Sequence, residues 1–84
     1  MRLLLVEDDT LIADSLNRQL TAAGFTVDQA PTAKQAEQLG KQEDYRAVVL
    51  DLGLPDGNGL SVLKNWRADK LAMPVLILTA RGDW

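Results

Sequence analysis

The stretch AVVLDLGLPDGNG, residues 47–59, decides the fold that we predict for this chain. Its apolar run Ala47–Leu50 shows no alternation of apolar and polar residues, which is typical of a strand covered on both faces. The run ends in Asp51, and Pro55 and Gly59 follow at steps of four residues. Aspartate is a poor strand residue, and the next helix begins only at about Gly59, too far away for capping. We therefore predict that Asp51 is a functional residue.

Two further apolar runs end in polar residues in the same way. Leu3–Val6 is followed by three acidic residues, and Val75–Leu78 is followed by Thr79-Ala80. Phe25–Val27 alternates and is predicted to be a short strand near an edge. Strands that alternate with helical segments imply right-handed βαβ units and a parallel sheet. We therefore predict an α/β fold with a doubly wound parallel sheet, in which ligands bind at the carboxyl edge of the strands.

Three helices are predicted between these strands. The first extends from Leu11 to Ala23 with Leu11 on its apolar stripe, Asp9 or Thr10 as its cap, and Gly24 just past its end. The second, Ala33 to about Gln42, has few large apolar residues and is predicted to pack thinly on the surface. The third is predicted from apolar residues at steps of three, which are Leu60, Leu63 and Trp66.

Composition limits the classes of function that this chain can have. Its 84 residues allow at most one domain. The net charge of −3 argues against direct nucleic-acid binding, which requires a basic face. There is no cysteine and no histidine, so thiolate and imidazole metal sites are excluded. The apolar run at the N-terminus is too short for a signal peptide, and no run is long enough for a membrane span, which favours a cytoplasmic location.

The acidic residues at the strand ends predict a cation site. Glu7 and Asp8 follow the first strand, and they converge with Asp51 at one edge of the predicted sheet. Like charges about 4 Å apart repel by several kcal/mol, so such a cluster favours a bound cation. Hard oxygen ligands favour Mg²⁺, or Mn²⁺ as an alternative, over zinc. Gly53 leaves room for a backbone carbonyl to face the cation, and the Thr79 hydroxyl can donate to a phosphoryl oxygen.

The chain resembles the receiver domain of bacterial two-component response regulators. The motifs are LLVEDD at residues 4–9, VVLDLGLPDGNG at residues 48–59 and PVLILTAR at residues 74–81. It is most similar to transcription regulators in which a receiver precedes a winged-helix DNA-binding domain, of the polymyxin-resistance and quorum-sensing regulator type. The resemblance implies the flavodoxin-like receiver fold, with the strand order 2-1-3-4-5.

The resemblance also implies roles for the residues at the predicted sheet edge. Asp51 matches the phosphoacceptor that takes a phosphoryl group from a sensor histidine kinase. The matching Mg²⁺ ligands are Glu7, Asp8, Asp51 and the Gly53 carbonyl. Thr79 resembles the switch hydroxyl, and Ala80 lies beside it as a second phosphoryl contact. The domain would not be an enzyme in the ordinary sense, because it would catalyse only its own phosphotransfer and dephosphorylation.

The family pattern extends further than residues 1–84, which would represent about two thirds of a receiver. The family continues through a fourth helix, a fifth strand ending in a lysine, and a fifth helix, and we expect the effector domain to lie outside residues 1–84. When complete, such a regulator would form a homodimer and contact DNA only through its C-terminal domain, with no membrane contact. Two alternatives remain open, a kinase-binding module that does not switch and an aspartyl phosphohydrolase. The second of these requires another acid at position 53, which is glycine.

Overall fold

The computed structural model describes residues 1–78. Five elements precede residue 52 and four follow it. In chain order the elements are β1 (Arg2–Val6), α1 (Thr10–Ala22), β2 (Thr26–Ala30), α2 (Ala33–Gln42), β3 (Ala47–Asp51), β4 (Gly53–Leu54), β5 (Gly57–Asn58), α3 (Gly59–Ala68) and β6 (Val75–Leu78). Within this part of the chain, no helix is both long and apolar enough to cross a membrane.

The main sheet has four parallel strands in the order β2-β1-β3-β6. This order confirms the predicted doubly wound sheet, with β2 at one edge. The chain moves in one direction from β1 to β2 and in the other direction from β2 through β3 to β6. Because crossovers are right-handed, α1 covers one face of the sheet and α2 and α3 cover the other.

The main core lies between the sheet and the pair α2 and α3. Alternate residues of β1 point to this side, and both Leu4 and Val6 are fully buried. Val62 and Trp66 of α3 are also fully buried against the sheet and α2. Trp66 is thus a packing residue, as its place on the helix predicted.

The predicted face of α3 is wrong by one position at its start. Leu60 is 44% exposed, whereas Gly59, Val62 and Trp66 are the buried residues of the helix. Residues three or four positions apart lie on the same face of a helix. The sequence was therefore consistent with a buried face that begins at Leu60 and with one that begins at Gly59. Packing against α2 selects the face that includes Val62. Leu11 of α1 is likewise 81% exposed and does not belong to a buried stripe.

Helix α2 packs closely, contrary to the thin packing predicted from its composition. Its buried residues, Ala33, Ala36 and Gly40, are all small. A Cβ built on Gly40 would overlap the indole of Trp66. The small side chains therefore let α2 approach α3, and large apolar residues would not fit there.

Two further differences concern strands. Strand β2 continues to Ala30, beyond the predicted end at Val27, because each residue from Thr26 to Ala30 pairs with β1. Its polar Asp28 accepts hydrogen bonds from Arg2 Nε and from the Tyr45 hydroxyl, both at 2.8 Å. The segment predicted as a loop between β3 and α3 contains a small antiparallel hairpin of β4 and β5.

Candidate functional site

Strands β1 and β3 end side by side, and each end supplies acidic side chains. Val6 pairs with Leu50 in the parallel register, so the next residues along the two strands, Glu7 and Asp51, are neighbours. Asp8 follows directly. One carboxylate oxygen from each of these three residues lies within 4.8 Å of the others. The structure therefore brings together the three acidic residues that the sequence predicted at this edge.

The three carboxylates differ in their exposure to solvent. Glu7 is only 7% exposed and Asp51 is 9% exposed, whereas Asp8 is exposed. Charged side chains are rarely buried without a compensating partner. The cluster thus has a buried floor, formed by two carboxylates, and an open side at Asp8.

Glu7 shows the electrostatic effect of this arrangement. Burial raises the pKa of Glu7 from 4.5 to about 7, and the neighbouring Asp51 carboxylate contributes to the rise. The Asp9 amide donates a hydrogen bond to Glu7 Oε2 at 3.2 Å, which acts in the opposite direction but does not cancel the effect. Two charges within 4.8 Å of each other repel by about 3–4 kcal/mol or more at an effective dielectric near 20. A bound cation would remove much of this repulsion.

Backbone hydrogen bonds join the segments of the cluster to the end of β2 and to the start of α3. The Glu7 amide donates to the Ala30 carbonyl at the end of β2, at 3.2 Å. The Gly59 amide donates to the Leu52 carbonyl at 3.1 Å. A Cβ at Gly59 would lie 2.5 Å from the Asp51 carbonyl oxygen, so only glycine allows α3 to begin this close to Asp51.

Asp9 is separated from the cluster by its role at the start of α1. Its Oδ1 accepts hydrogen bonds from the amides of Leu11 at 3.0 Å and Ile12 at 3.3 Å. This is the geometry of an N-cap. The structure thereby selects Asp9 over Thr10 as the cap. Gly24, with a φ of +100°, follows the end of the helix as predicted.

The remaining predicted site residues are Gly53, Thr79 and Ala80. Gly53 begins β4, and a Cβ built on it would lie 4.0 Å from Asp51 Oδ2, so its backbone is close to the cluster. Leu78, the last residue of β6, pairs with Asp51. Thr79 and Ala80 come next in the sequence and lie outside the described residues.

Asp56 lies in the loop that follows Asp51, and no pattern in the sequence distinguishes it from the other turn residues there. Its carboxylate accepts hydrogen bonds from the amides of Ala33 at 2.6 Å and Lys34 at 3.1 Å. The Ala33 amide in particular lowers the pKa of the Asp56 carboxyl. In the sequence, Asp56 is one of several turn residues, and no local signal links it to a helix that begins 23 residues earlier.

The donor set at the edge of the sheet fits a hard divalent cation. All three side chains offer oxygen, and the whole chain has no histidine or cysteine that could offer nitrogen or sulfur. Oxygen donors in this number suit Mg²⁺ or Mn²⁺, with waters completing the coordination. The arrangement places a buried carboxylate, that of Asp51, beside a position suited to a cation.

Comparison with known proteins finds relatives that match nearly all of this chain. The model of the response regulator receiver domain family matches residues 3–84. The transcriptional regulatory protein PmrA of Pectobacterium parmentieri is 49% identical over 81 residues, which are 96% of this chain and 36% of PmrA. The transcriptional regulatory protein PhoP of Escherichia coli K12 is 42% identical over all of this chain and 38% of PhoP. The chain thus spans little more than a third of these relatives.

Solved receiver structures match the fold closely. TrrA of Thermotoga maritima, in complex with Mg²⁺ and beryllium fluoride, has a TM-score of 0.90 and 30% identity, over 96% of this chain and 70% of that one. The response regulator MaeR, bound to beryllium trifluoride, has a TM-score of 0.89 and 29% identity, over 99% of this chain and 70% of that one. With the family match, these similarities show that the chain belongs to the response regulator receiver domain family.

Proposed function

We propose that this domain accepts a phosphoryl group on Asp51 from a sensor histidine kinase, with Mg²⁺ as its cofactor. The observation that supports the proposal most is the meeting of Glu7, Asp8 and Asp51 at the end of β1 and β3. A nucleophilic carboxylate next to a divalent cation is the arrangement that phosphoryl transfer to aspartate requires.

The proposed chemistry is a displacement at phosphorus. One carboxylate oxygen of Asp51 forms the new bond to phosphorus while the phosphorus–nitrogen bond of the donor phosphohistidine breaks, and the released imidazole takes up a proton. Glu7, Asp8, Asp51 and the Gly53 carbonyl would hold the cation, which would neutralise charge on the phosphoryl oxygens. The Asp51 side chain is nearly buried, and the close approach of Gly59 to the Asp51 carbonyl restricts the backbone that carries it.

Thr79 and Ala80 complete the proposal on the basis of sequence. They follow Leu78, which pairs with Asp51 across the sheet. At that position the Thr79 hydroxyl is proposed to donate a hydrogen bond to the phosphoryl group, with the Ala80 backbone beside it.

The wider role of the protein is also a proposal. PmrA and PhoP are transcriptional regulatory proteins, and this chain matches little more than a third of each. We accordingly propose that phosphorylation of Asp51 controls transcription through a DNA-binding domain, with dimerisation of the phosphorylated protein. We also propose that the protein is located in the cytoplasm, where ATP is available to the kinase. Apart from the transfer of its own phosphoryl group, we propose no catalytic activity.

The acceptor assignment is tested by phosphorylation with a small donor. We expect acetyl phosphate with Mg²⁺ to add one phosphoryl group to the protein as its gene encodes it, and we expect Asp51→Asn to abolish this. Asp14→Asn, which changes an exposed aspartate of α1, is the matched control and should be labelled like the wild type. Intact-protein mass spectrometry measures the adduct. Full labelling of the Asp51→Asn variant, or an adduct on another residue, would overturn the assignment.

The cation site is tested by comparing two adjacent aspartates. Asp8→Ala should lose most of the Mg²⁺ affinity, because it removes a ligand. Asp9→Ala should mainly weaken the start of α1, lowering the free energy of unfolding by about 0.5–2 kcal/mol. Calorimetric titration with MgCl₂ and thermal melting separate the two effects. If Asp9→Ala weakened Mg²⁺ binding more than Asp8→Ala did, the ligand assignment would be wrong.

A further inference from the structure

Asp56 connects two parts of the chain that are distant in sequence. It follows β4 in the turn of the small hairpin. From there its two carboxylate oxygens accept the amide hydrogens of the first two residues of α2, Ala33 at 2.6 Å and Lys34 at 3.1 Å. The turn that follows β3 is therefore fastened to the turn that follows β2.

Helix α2 already has a local cap, so Asp56 is a second one. Thr32 is the N-cap residue, and its hydroxyl accepts the amide of Gln35 at 3.2 Å. The first turn of α2 has no acidic residue. Asp56 thus supplies both acceptors for two amides that lack partners within the helix and a negative charge at the positive end of the helix dipole.

Both ends of this connection reach the candidate cation site. On one side, Asp56 is three residues after Gly53, and Leu54 between them is buried in the main core. On the other side, the carbonyl of Ala30, just before α2, accepts the amide of Glu7. The contact at Asp56 therefore closes a ring of backbone segments that includes Asp51 and Glu7.

We propose that Asp56 is a positioning residue that holds the segment from Asp51 to Gly53 against the start of α2. Among the described residues, its carboxylate accepts hydrogen bonds from the amides of Ala33 and Lys34, which are not proposed cation ligands. It acts by fixing the hairpin, and with it the spacing between the Gly53 backbone and the carboxylates. The part of this inference that concerns the cation rests on the proposed function, whereas the part that concerns the loop does not.

The test compares Asp56→Ala with Thr32→Ala in the protein as its gene encodes it. Both variants remove a cap from the same end of α2, so both should lower the melting temperature. Only Asp56→Ala releases the hairpin. Hydrogen exchange of the Gly59 amide, which bonds to the Leu52 carbonyl, reports on the loop without any metal. We expect faster exchange at Gly59 in Asp56→Ala and unchanged exchange in Thr32→Ala.

Calorimetric titration with MgCl₂ provides the second measurement. Loss of a group that orients metal ligands costs about 10–100-fold in affinity. Because Asp56 acts one step further out, we expect Asp56→Ala to weaken Mg²⁺ binding about 3–10-fold, with no change in Thr32→Ala. Asp56→Asn, which retains one oxygen acceptor and loses the charge, should be intermediate.

The two measurements distinguish failure of this inference from failure of the proposed function. Equal exchange at Gly59 and equal Mg²⁺ affinity in the Asp56→Ala and Thr32→Ala variants would show that Asp56 is only a helix cap. A wild-type protein that binds no Mg²⁺ would overturn the proposed function, and the exchange comparison would still decide whether Asp56 holds the loop.

Discussion

Replacement of Glu7 by glutamine should stabilise the metal-free protein at neutral and alkaline pH. Burial raises the pKa of Glu7 to about 7 in the folded state, against an ordinary value of 4.5. The folded protein thus binds this proton more tightly than the unfolded chain does. The resulting contribution to stability is complete below pH 4.5, and it is lost as the pH rises through about 7.

The size of the effect follows from the two pKa values. The interval between 4.5 and about 7 corresponds to at most about 3 kcal/mol. Solvent at the open side of the cluster screens the charges, which reduces the expected effect to about 1–2 kcal/mol. Glu7→Gln keeps the size of the side chain and cannot ionise. Its advantage over the wild type should therefore be near zero at about pH 4.5 and reach about 1–2 kcal/mol at about pH 8.

The assay is urea unfolding in EDTA, followed by tryptophan fluorescence, at several pH values between about 4.5 and about 8. Trp66, which is fully buried, provides the signal. Asp14→Asn, which changes an exposed aspartate of α1, is the control for loss of a carboxylate outside the cluster. Addition of Mg²⁺ at about pH 8 should stabilise the wild type more than Glu7→Gln, since only the wild type retains the third carboxylate ligand.

One outcome would refute this reasoning directly. If the wild type and Glu7→Gln showed the same dependence of unfolding free energy on pH, the burial of an ionisable Glu7 beside Asp51 would have no energetic consequence. If the wild type gained stability over the variant as the pH rose in EDTA, the pKa of Glu7 would be lower in the folded protein than in the unfolded chain, contrary to the expected direction.

Three further substitutions test the packing that supports the site. Gly40→Ala should lower the free energy of unfolding by about 1–3 kcal/mol, because its Cβ would overlap the buried indole of Trp66; thermal melting measures this, and a smaller cost of Gly40→Ala in a Trp66→Leu background would identify the cause. Tyr45→Phe should cost about 1 kcal/mol, since it removes the hydroxyl hydrogen bond to β2, and an unchanged melting curve would contradict that contribution. Gly59→Ala should reduce both stability and acetyl phosphate labelling by displacing the backbone at Asp51, and normal labelling would show that the close approach is dispensable.

The sequence alone determined the sheet and the place of the acidic cluster. The predicted strand Val75–Leu78 agrees with the structure, and the predicted strand Ala47–Leu50 falls one residue short of the end of β3 at Asp51. Unbroken apolar runs that stop at a charged residue are a local signal, so they can be recognised without knowledge of the fold. Once the strands are parallel, their carboxyl ends must meet at one edge. The proximity of Glu7 and Asp51 follows from that geometry.

Only the tertiary structure decided which faces are buried and what holds the loops. The buried face of α3 includes Val62 because that face packs into the main core, and Gly40 is required because Trp66 occupies the space above it. Asp56 meets the start of α2 across 23 residues, although its neighbours in sequence indicate only a turn. Such contacts depend on how two crossovers bring distant turns together. Local propensity describes each turn by itself, and it contains no information about the partner that folding places beside it.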